Sequence, residues 1–219
     1  MAKTRFSTRS LLNACRFGRL DHVQYLLEVC KEDPNQTDDR GSTALHMACK
    51  AGHVNCVSFL LEKGAKPNLQ DFQGNTPLHN ACEAQAEECI SALLHYGEVD
   101  SDIQNFYNET PLFLIAELGN EKCVDILLEA GEADADMPCE HDQTPLFIAC
   151  AANDNLRCAS VLLHAGADPM KPTIEGKTAL DVIREKHGET EARKVFHLFE
   201  KLTKCREVCP DEMMVDEIS

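Results

Sequence analysis

The sequence predicts an all-α repeat protein, and three observations carry the prediction. A four-residue signature recurs at near-constant spacing, a pair of leucines follows it at a fixed distance, and turn residues separate and close these apolar stretches. The signature reads Thr43-Ala-Leu-His46, Thr76-Pro-Leu-His79, Thr110-Pro-Leu-Phe113, Thr144-Pro-Leu-Phe147 and Thr178-Ala-Leu-Asp181, at intervals of 33, 34, 34 and 34 residues. The leucine pairs are Leu60 and Leu61, Leu93 and Leu94, Leu127 and Leu128, and Leu162 and Leu163. A further copy without the threonine opens the chain, with Ala14 and Cys15 matching Ala48 and Cys49, and Leu26 and Leu27 matching Leu60 and Leu61.

Each copy reads as two short helices. The threonine hydroxyl caps the first free N–H groups of the first helix. Proline next to it sits where its missing N–H and restricted φ cost nothing. Apolar residues then recur at helical spacing. Gly52 and Gly119 supply a left-handed residue to end the first helix, whereas Gln85 and Asn153 stand at that place in two other copies. The Leu-Leu helix ends at Gly64, Gly97, Gly131 or Gly166, and a polar, turn-rich stretch leads to the next threonine. One extra residue enters the turns after Gly97 and Gly131 and before Leu156.

The Thr-Pro-Leu-His signature, the Leu-Leu helix and the following Gly64-Ala65 and Gly166-Ala167 resemble the ankyrin repeat over about residues 8–203. The resemblance implies L-shaped units stacked into a solenoid, with β-hairpin-like turns projecting to one side. We expect an ankyrin-repeat domain over 1–203, with units at 8–40, 41–73, 74–107, 108–141 and 142–175 and a capping unit at 176–203. Such stacks need terminal repeats with a polar outer face. In the last unit Val195, Phe196, Leu198, Phe199 and Leu202 offer an apolar face to the preceding repeat. Residues 204–219, with Glu207, Asp211, Glu212, Asp216 and Glu217, read as a flexible acidic tail. The tail lacks the leucine-rich, arginine-bearing pattern of the SOCS box.

The repeat register explains most of the twelve cysteines. Cys15, Cys49, Cys82 and Cys150 share one position on first helices, and Cys56, Cys89, Cys123 and Cys158 share one on second helices. Eight thiols at recurring inward positions act as small apolar groups rather than as disulfides. Cys205 and Cys209 have no histidine or further cysteine at zinc spacing, so no metal or other cofactor is expected.

No apolar run is long enough to span a bilayer, and the basic N-terminal residues are not followed by a signal-peptide pattern. The expectation is the cytoplasm or the nucleus. The net charge is −16, and residues 83–142 hold sixteen acidic side chains against Lys122 alone. An acidic surface of that extent repels nucleic acid and attracts basic partners. The chain contains no Gly-rich phosphate loop, no His-Glu-x-x-His and no Gly-x-Ser-x-Gly. His46 and His79 read as partners of the signature threonine rather than as bases. No catalytic residue is assigned, and enzyme activity is not expected.

Members of the ankyrin family bind proteins through the concave face, formed by the turn tips and the exposed end of each first helix. Mapped onto this sequence, that face comprises Arg16, Phe17, Arg40, Ser42 and Lys50, then Phe72, Gln73, Asn75 and Glu83. It continues with Phe106, Tyr107, Glu109, Glu117 and Leu118, and ends with Glu140, His141 and Gln143. Phe72, Phe106 and Tyr107 lie in turns, where polar residues are usual, and read as exposed anchors. The expected occupant is a protein segment carrying Lys or Arg beside apolar anchors, held by a monomer acting as adaptor, scaffold or inhibitor. The alternatives are an inhibitor similar to those of Rel-type transcription factors, a substrate receptor of a ubiquitin ligase or, from another class, an enzyme. Asn35 and Asn68 sit eight residues after Leu27 and Leu60, resembling the asparagine hydroxylation site of ankyrin domains. Pro34 and Pro67 precede them where an aliphatic residue is usual, and the other reading is a turn-stabilising asparagine.

Overall fold

The computed structural model describes residues 3–131, 133–152 and 156–208, with side chains over 10–202 of these. The described residues form twelve helices in six consecutive pairs: α1 (Lys3–Arg16) with α2 (Leu20–Glu28), α3 (Ala44–Lys50) with α4 (Val54–Glu62), and α5 (Pro77–Glu83) with α6 (Glu87–His95). The remaining pairs are α7 (Pro111–Leu118) with α8 (Glu121–Ala130), α9 (Pro145–Ala152) with α10 (Arg157–Ala165), and α11 (Ala179–His187) with α12 (Glu189–Val208). First helices pack on first helices and second on second from one end of the molecule to the other, so the solenoid has two layers. None of these helices is long and apolar enough to cross a membrane.

The register of the signature accounts for the stacking. Leu45, Leu78, Leu112 and Leu146 of successive signatures are fully buried, and so are Leu60, Leu93, Leu127 and Leu162 of the leucine pairs. Each such side chain contributes about 2 kcal/mol of burial, but only against its neighbours, because no single helix pair encloses its own apolar face. All eight cysteines of the two repeating positions are buried and unpaired. Burial pushes their thiols up, Cys150 to about 12.

Threonine capping operates in all five signatures. The oxygens of Thr43, Thr76, Thr110, Thr144 and Thr178 accept from the backbone N–H three residues on, at 3.1–3.4 Å. Gly52 and Gly119 have the left-handed backbone expected of them, and Gln85 adopts it too, with φ 52°. Asn153 lies outside the described residues.

Between units the chain makes a hairpin turn whose closing bonds run from Asp38, Asp71, Asn105, Cys139 and Thr173 to the carbonyl four residues on, at 2.9–3.0 Å. Adjacent hairpins are tied to each other as well. The N–H groups of Phe72, Phe106, Glu140 and Ile174 donate to the carbonyls of Arg40, Gln73, Tyr107 and His141, at 2.9–3.4 Å. A second ladder runs along the opposite turns. The side chains of Asn35, Asn68, Asp102 and Asp136 accept from the N–H groups of Lys66, Asp100, Asp134 and Asp168 at 2.8–3.0 Å.

Both ends of the stack differ from the expected boundaries. Helix α1 reaches back to Lys3 rather than starting at residue 8, and α12 continues to Val208, five residues beyond 203. Residues 209–219, most of the expected tail, lie outside the described residues. Val195, Leu198 and Phe199 pack on the core as anticipated. Phe196 does not: it is 39% exposed.

Candidate partner-binding face

Turn tips and first helices present the side chains that the register assigned to binding. Each hairpin tip offers two residues to solvent. The first of these is Asp39, Phe72, Phe106, Glu140 or Ile174, and the second is Arg40, Gln73, Tyr107, His141 or Glu175; all ten are exposed. Phe72 and Phe106 are each 70% exposed and Tyr107 is 58% exposed. The two phenylalanine rings are nonetheless packed against the preceding tip. A Cβ on Gly41 would meet the Phe72 ring at 2.6 Å, and one on Gly74 would meet the Phe106 ring at 2.8 Å. Each ring therefore lies across the glycine of the preceding tip while its outer face stays open.

Ile174, 68% exposed, belongs to the same row and was not among the sequence candidates. It precedes Gly176 by two residues, as Phe72 precedes Gly74, and this register was the available signal.

The first helices contribute differently along the stack. Arg16, Phe17, Lys50, Glu83, Glu117 and Leu118 are exposed. Lys50 pairs with Glu83 across two repeats at 3.2 Å, and the Arg19 guanidinium lies 5.7 Å from the Phe17 ring centroid. Asn75 and Glu109 are half-buried and engaged within the protein. Asn105 Nδ2 donates to Asn75 Oδ1 and to Glu109 Oε2. The Asn75 and Glu109 carbonyls accept from His46 Nε2 and His79 Nε2 at 3.0 Å. Ser42 is buried rather than presented, and Gln143 is half-buried.

His46 and His79 work as clamps. The N–H of Thr43 donates to His46 Nδ1, and that of Thr76 to His79 Nδ1, both at 3.1 Å, while each Nε2 reaches the next repeat. Burial holds both imidazoles neutral and pushes His79 down to about 4. Asn35 and Asn68 are likewise engaged: their Nδ2 atoms donate to the carbonyls of Gly64 and Glu98, completing a two-way bond to the following repeat. Among the described residues no group of three or more His, Cys, Asp or Glu side chains could hold a metal ion.

One stretch of the concave face is enclosed enough to form a groove. It has a volume of about 660 Å³ and runs across the first three units, between Arg16, Phe17, Arg40, Lys50, Phe72 and Gln73. With Ser42, seven sequence-assigned residues therefore line one place, while those from Phe106 onward extend the face outside this groove.

The groove is not predominantly acidic: Arg16, Arg40 and Lys50 line it together with Asp39 and Asp71. The acidic residues of the middle repeats are spread over both layers and the turns, where many are used internally. Glu87 pairs with Lys122, Glu121 with Arg157 and Asp136 with Lys171, while Asp102 and Asp134 cap backbone N–H groups.

A sequence profile described as "Ankyrin repeats (3 copies)" matches residues 11–105 and 97–173. The chain is 45% identical over 58 residues to human "Ankyrin repeat domain-containing protein 39", covering 26% of this chain and 31% of that protein. It is 48% identical over 48 residues to "26S proteasome non-ATPase regulatory subunit 10" of Dictyostelium discoideum, covering 22% of this chain and 21% of that one. The aligned part thus spans less than a third of either relative. The crystal structure of the ankyrin repeat protein EF0377 superposes with a TM-score of 0.79 at 26% identity, over 87% of this chain and 97% of the other. With its six stacked helix pairs and their hairpin tips, the chain belongs to the ankyrin-repeat family, whose repeats are protein–protein interaction modules.

Proposed function

We propose that the concave face holds a segment of a partner protein, with the chain acting as a non-enzymatic adaptor, scaffold or inhibitor. The observation that carries this reading is the row of exposed aromatic rings at Phe72, Phe106 and Tyr107 on adjacent, hydrogen-bonded tips. The Phe72 and Phe106 rings, already packed over the glycine of the preceding tip, lose little conformational freedom on binding, and exposed aromatic residues are common anchors of interfaces. Apolar side chains of the partner seat against the rings. Lys or Arg residues beside them face Glu83, Glu117 and Glu140, which steer the encounter and disfavour acidic competitors at that end.

Affinity purification with mass spectrometry, comparing the wild type with a Phe72→Ala, Phe106→Ala, Tyr107→Ala variant, tests the reading. Partners that depend on the tips should be lost, and a partner measured directly should bind about 2 kcal/mol or more less tightly. Unchanged affinity in a variant with an unaltered thermal melt refutes the assignment. The captured set also separates the finer roles. Ligase subunits mark a substrate receptor, and a transcription factor released from DNA marks an inhibitor of the Rel-directed kind.

A further inference from the structure

We infer that the groove across the first three repeats takes an acidic segment of the partner, a carboxylate-bearing stretch with an apolar residue beside it. The inference rests on the reading of the concave face as a binding face and adds a polarity to it. The partner's acidic end lies over units one to three, and its basic end over the acid-rich units beyond.

Three features carry it. The first is charge that the protein leaves available. Arg16 and Arg40 line the groove with no ion pair among the described residues, and the Lys50–Glu83 pair is a well-exposed one, of the kind that contributes little. Asp71 is occupied by its own turn, accepting from the N–H groups of Gln73 and Asn75 at 2.9 and 3.0 Å. Arginine remains charged at every relevant pH, and its planar fork matches a carboxylate with two parallel bonds. The net −16 of the whole chain does not cancel this local field, because charges beyond about 8 Å are screened at physiological salt.

The second feature is a polar side chain in the groove wall. Asn80 lines the groove and is only 5% exposed, yet no hydrogen bond to its carboxamide occurs among the described residues. Its register position carries Met47, Leu114 and Ile148 in other repeats, so packing alone calls for an apolar residue there. Its amide is open to the groove, and a bound peptide backbone supplies both a donor and an acceptor for it.

The third feature is the apolar wall. Phe17, Met47 and Phe72 all line the groove. A smaller hollow of about 260 Å³ continues past Arg16, Arg40 and Met47 to Leu12 and Asn13 of the first helix. This arrangement seats one apolar side chain with carboxylates on either flank.

The test pans displayed random twelve-residue peptides against the full chain and measures the winners by fluorescence anisotropy. Winners should combine an apolar residue with neighbouring Asp or Glu. Their affinity should fall about tenfold on replacing either arginine, in Arg16→Gln or Arg40→Gln, the loss of one charge-assisted contact. It should also fall in Asn80→Leu, which carries the residue of the fourth repeat and keeps the helix packed.

Phe106→Ala with Tyr107→Ala should leave acidic-peptide affinity unchanged, while removing partners held by the tips. Winners without acidic residues, or acidic winners indifferent to both arginine variants, overturn the inference and leave the binding-face reading standing. Partners indifferent to the tip variants, with acidic peptides behaving as described, overturn that reading instead. Self-association of the chain abolished by removing residues 209–219 also overturns the inference, since that acidic stretch of a second copy is then the occupant.

Discussion

Acidification should loosen the joint between the third and fourth repeats, and His79 allows the size of the effect to be worked out. Its ring is buried, its Nδ1 accepts from the Thr76 N–H, and its Nε2–H donates to the Glu109 carbonyl at 3.0 Å. Protonation charges a group removed from water and puts a proton on Nδ1, facing a donor. Burial accordingly lowers the folded-state value from 6.5 to about 4.

A depressed folded value means that the neutral ring's contribution is fully present above the unfolded pKa and declines as pH falls through the window from about 6.5 to about 4. Across the whole window the loss is about 3 kcal/mol, and between pH 7 and pH 5 it is about 2 kcal/mol. His46, lowered by burial in the same way, adds to the trend. The acidic surface works in the opposite sense as its repulsion is relieved, so the comparison must be with a variant rather than with zero.

His79→Phe supplies it, since Phe113 and Phe147 fill the same register position and are buried there. Urea unfolding followed by circular dichroism at pH 7, 6 and 5 should show the wild type losing about 2 kcal/mol more than the variant between the extremes. Parallel pH profiles for the two proteins would refute the argument that a neutral, buried imidazole bridges these repeats.

Two further outcomes follow from local geometry. Gly74→Ala should destabilise more than Gly64→Ala in denaturant titrations, although both glycines have a positive φ. A Cβ at Gly74 meets the Phe106 backbone nitrogen at 2.7 Å, whereas nothing lies within 4 Å at Gly64. The strain common to both is about 1 kcal/mol, and equal losses would show that the hairpin ladder yields readily. Of the cysteines with described side chains, Cys30 alone is exposed. It should react with a thiol reagent in the native state within minutes while the eight repeat-position thiols wait for unfolding; labelling of Cys49 or Cys82 in the folded protein would contradict the packing described for them.

Much of the placement of the turn-tip and first-helix residues was legible in the sequence because the repeat converts position into place. Once the threonines were in register, the residues two before Gly41, Gly74 and Gly176 had to share a tip, and the turns could be numbered from the signature. Asn75 and Glu109 were harder. Their side chains belong by register to the presented edge, but Asn105 draws both into one hydrogen-bonded set across neighbouring tips. That contact depends on distances between repeats, which no single repeat specifies. The cations of the groove were legible by register, since Arg16, Arg40 and Lys50 were all assigned to the N-terminal part of the face; what the sequence left open is how an acidic stretch spreads its carboxylates over two helix layers and two rows of turns. Asn80 gave a faint signal, as a polar residue where sibling repeats carry Met, Leu or Ile, but only the stacking shows that its amide opens onto the groove.

The sequence by itself determined the unit, its number of copies and its inward face, since these follow from capping chemistry and helical spacing within some thirty-four residues. Only the tertiary structure decided which acids are spent in bonds between repeats, which rings remain exposed, and which of the assigned side chains share one groove. Local propensity acts along the chain, whereas charge, exposure and unmet hydrogen bonds depend on which side chains the stacking brings within a few ångströms of one another.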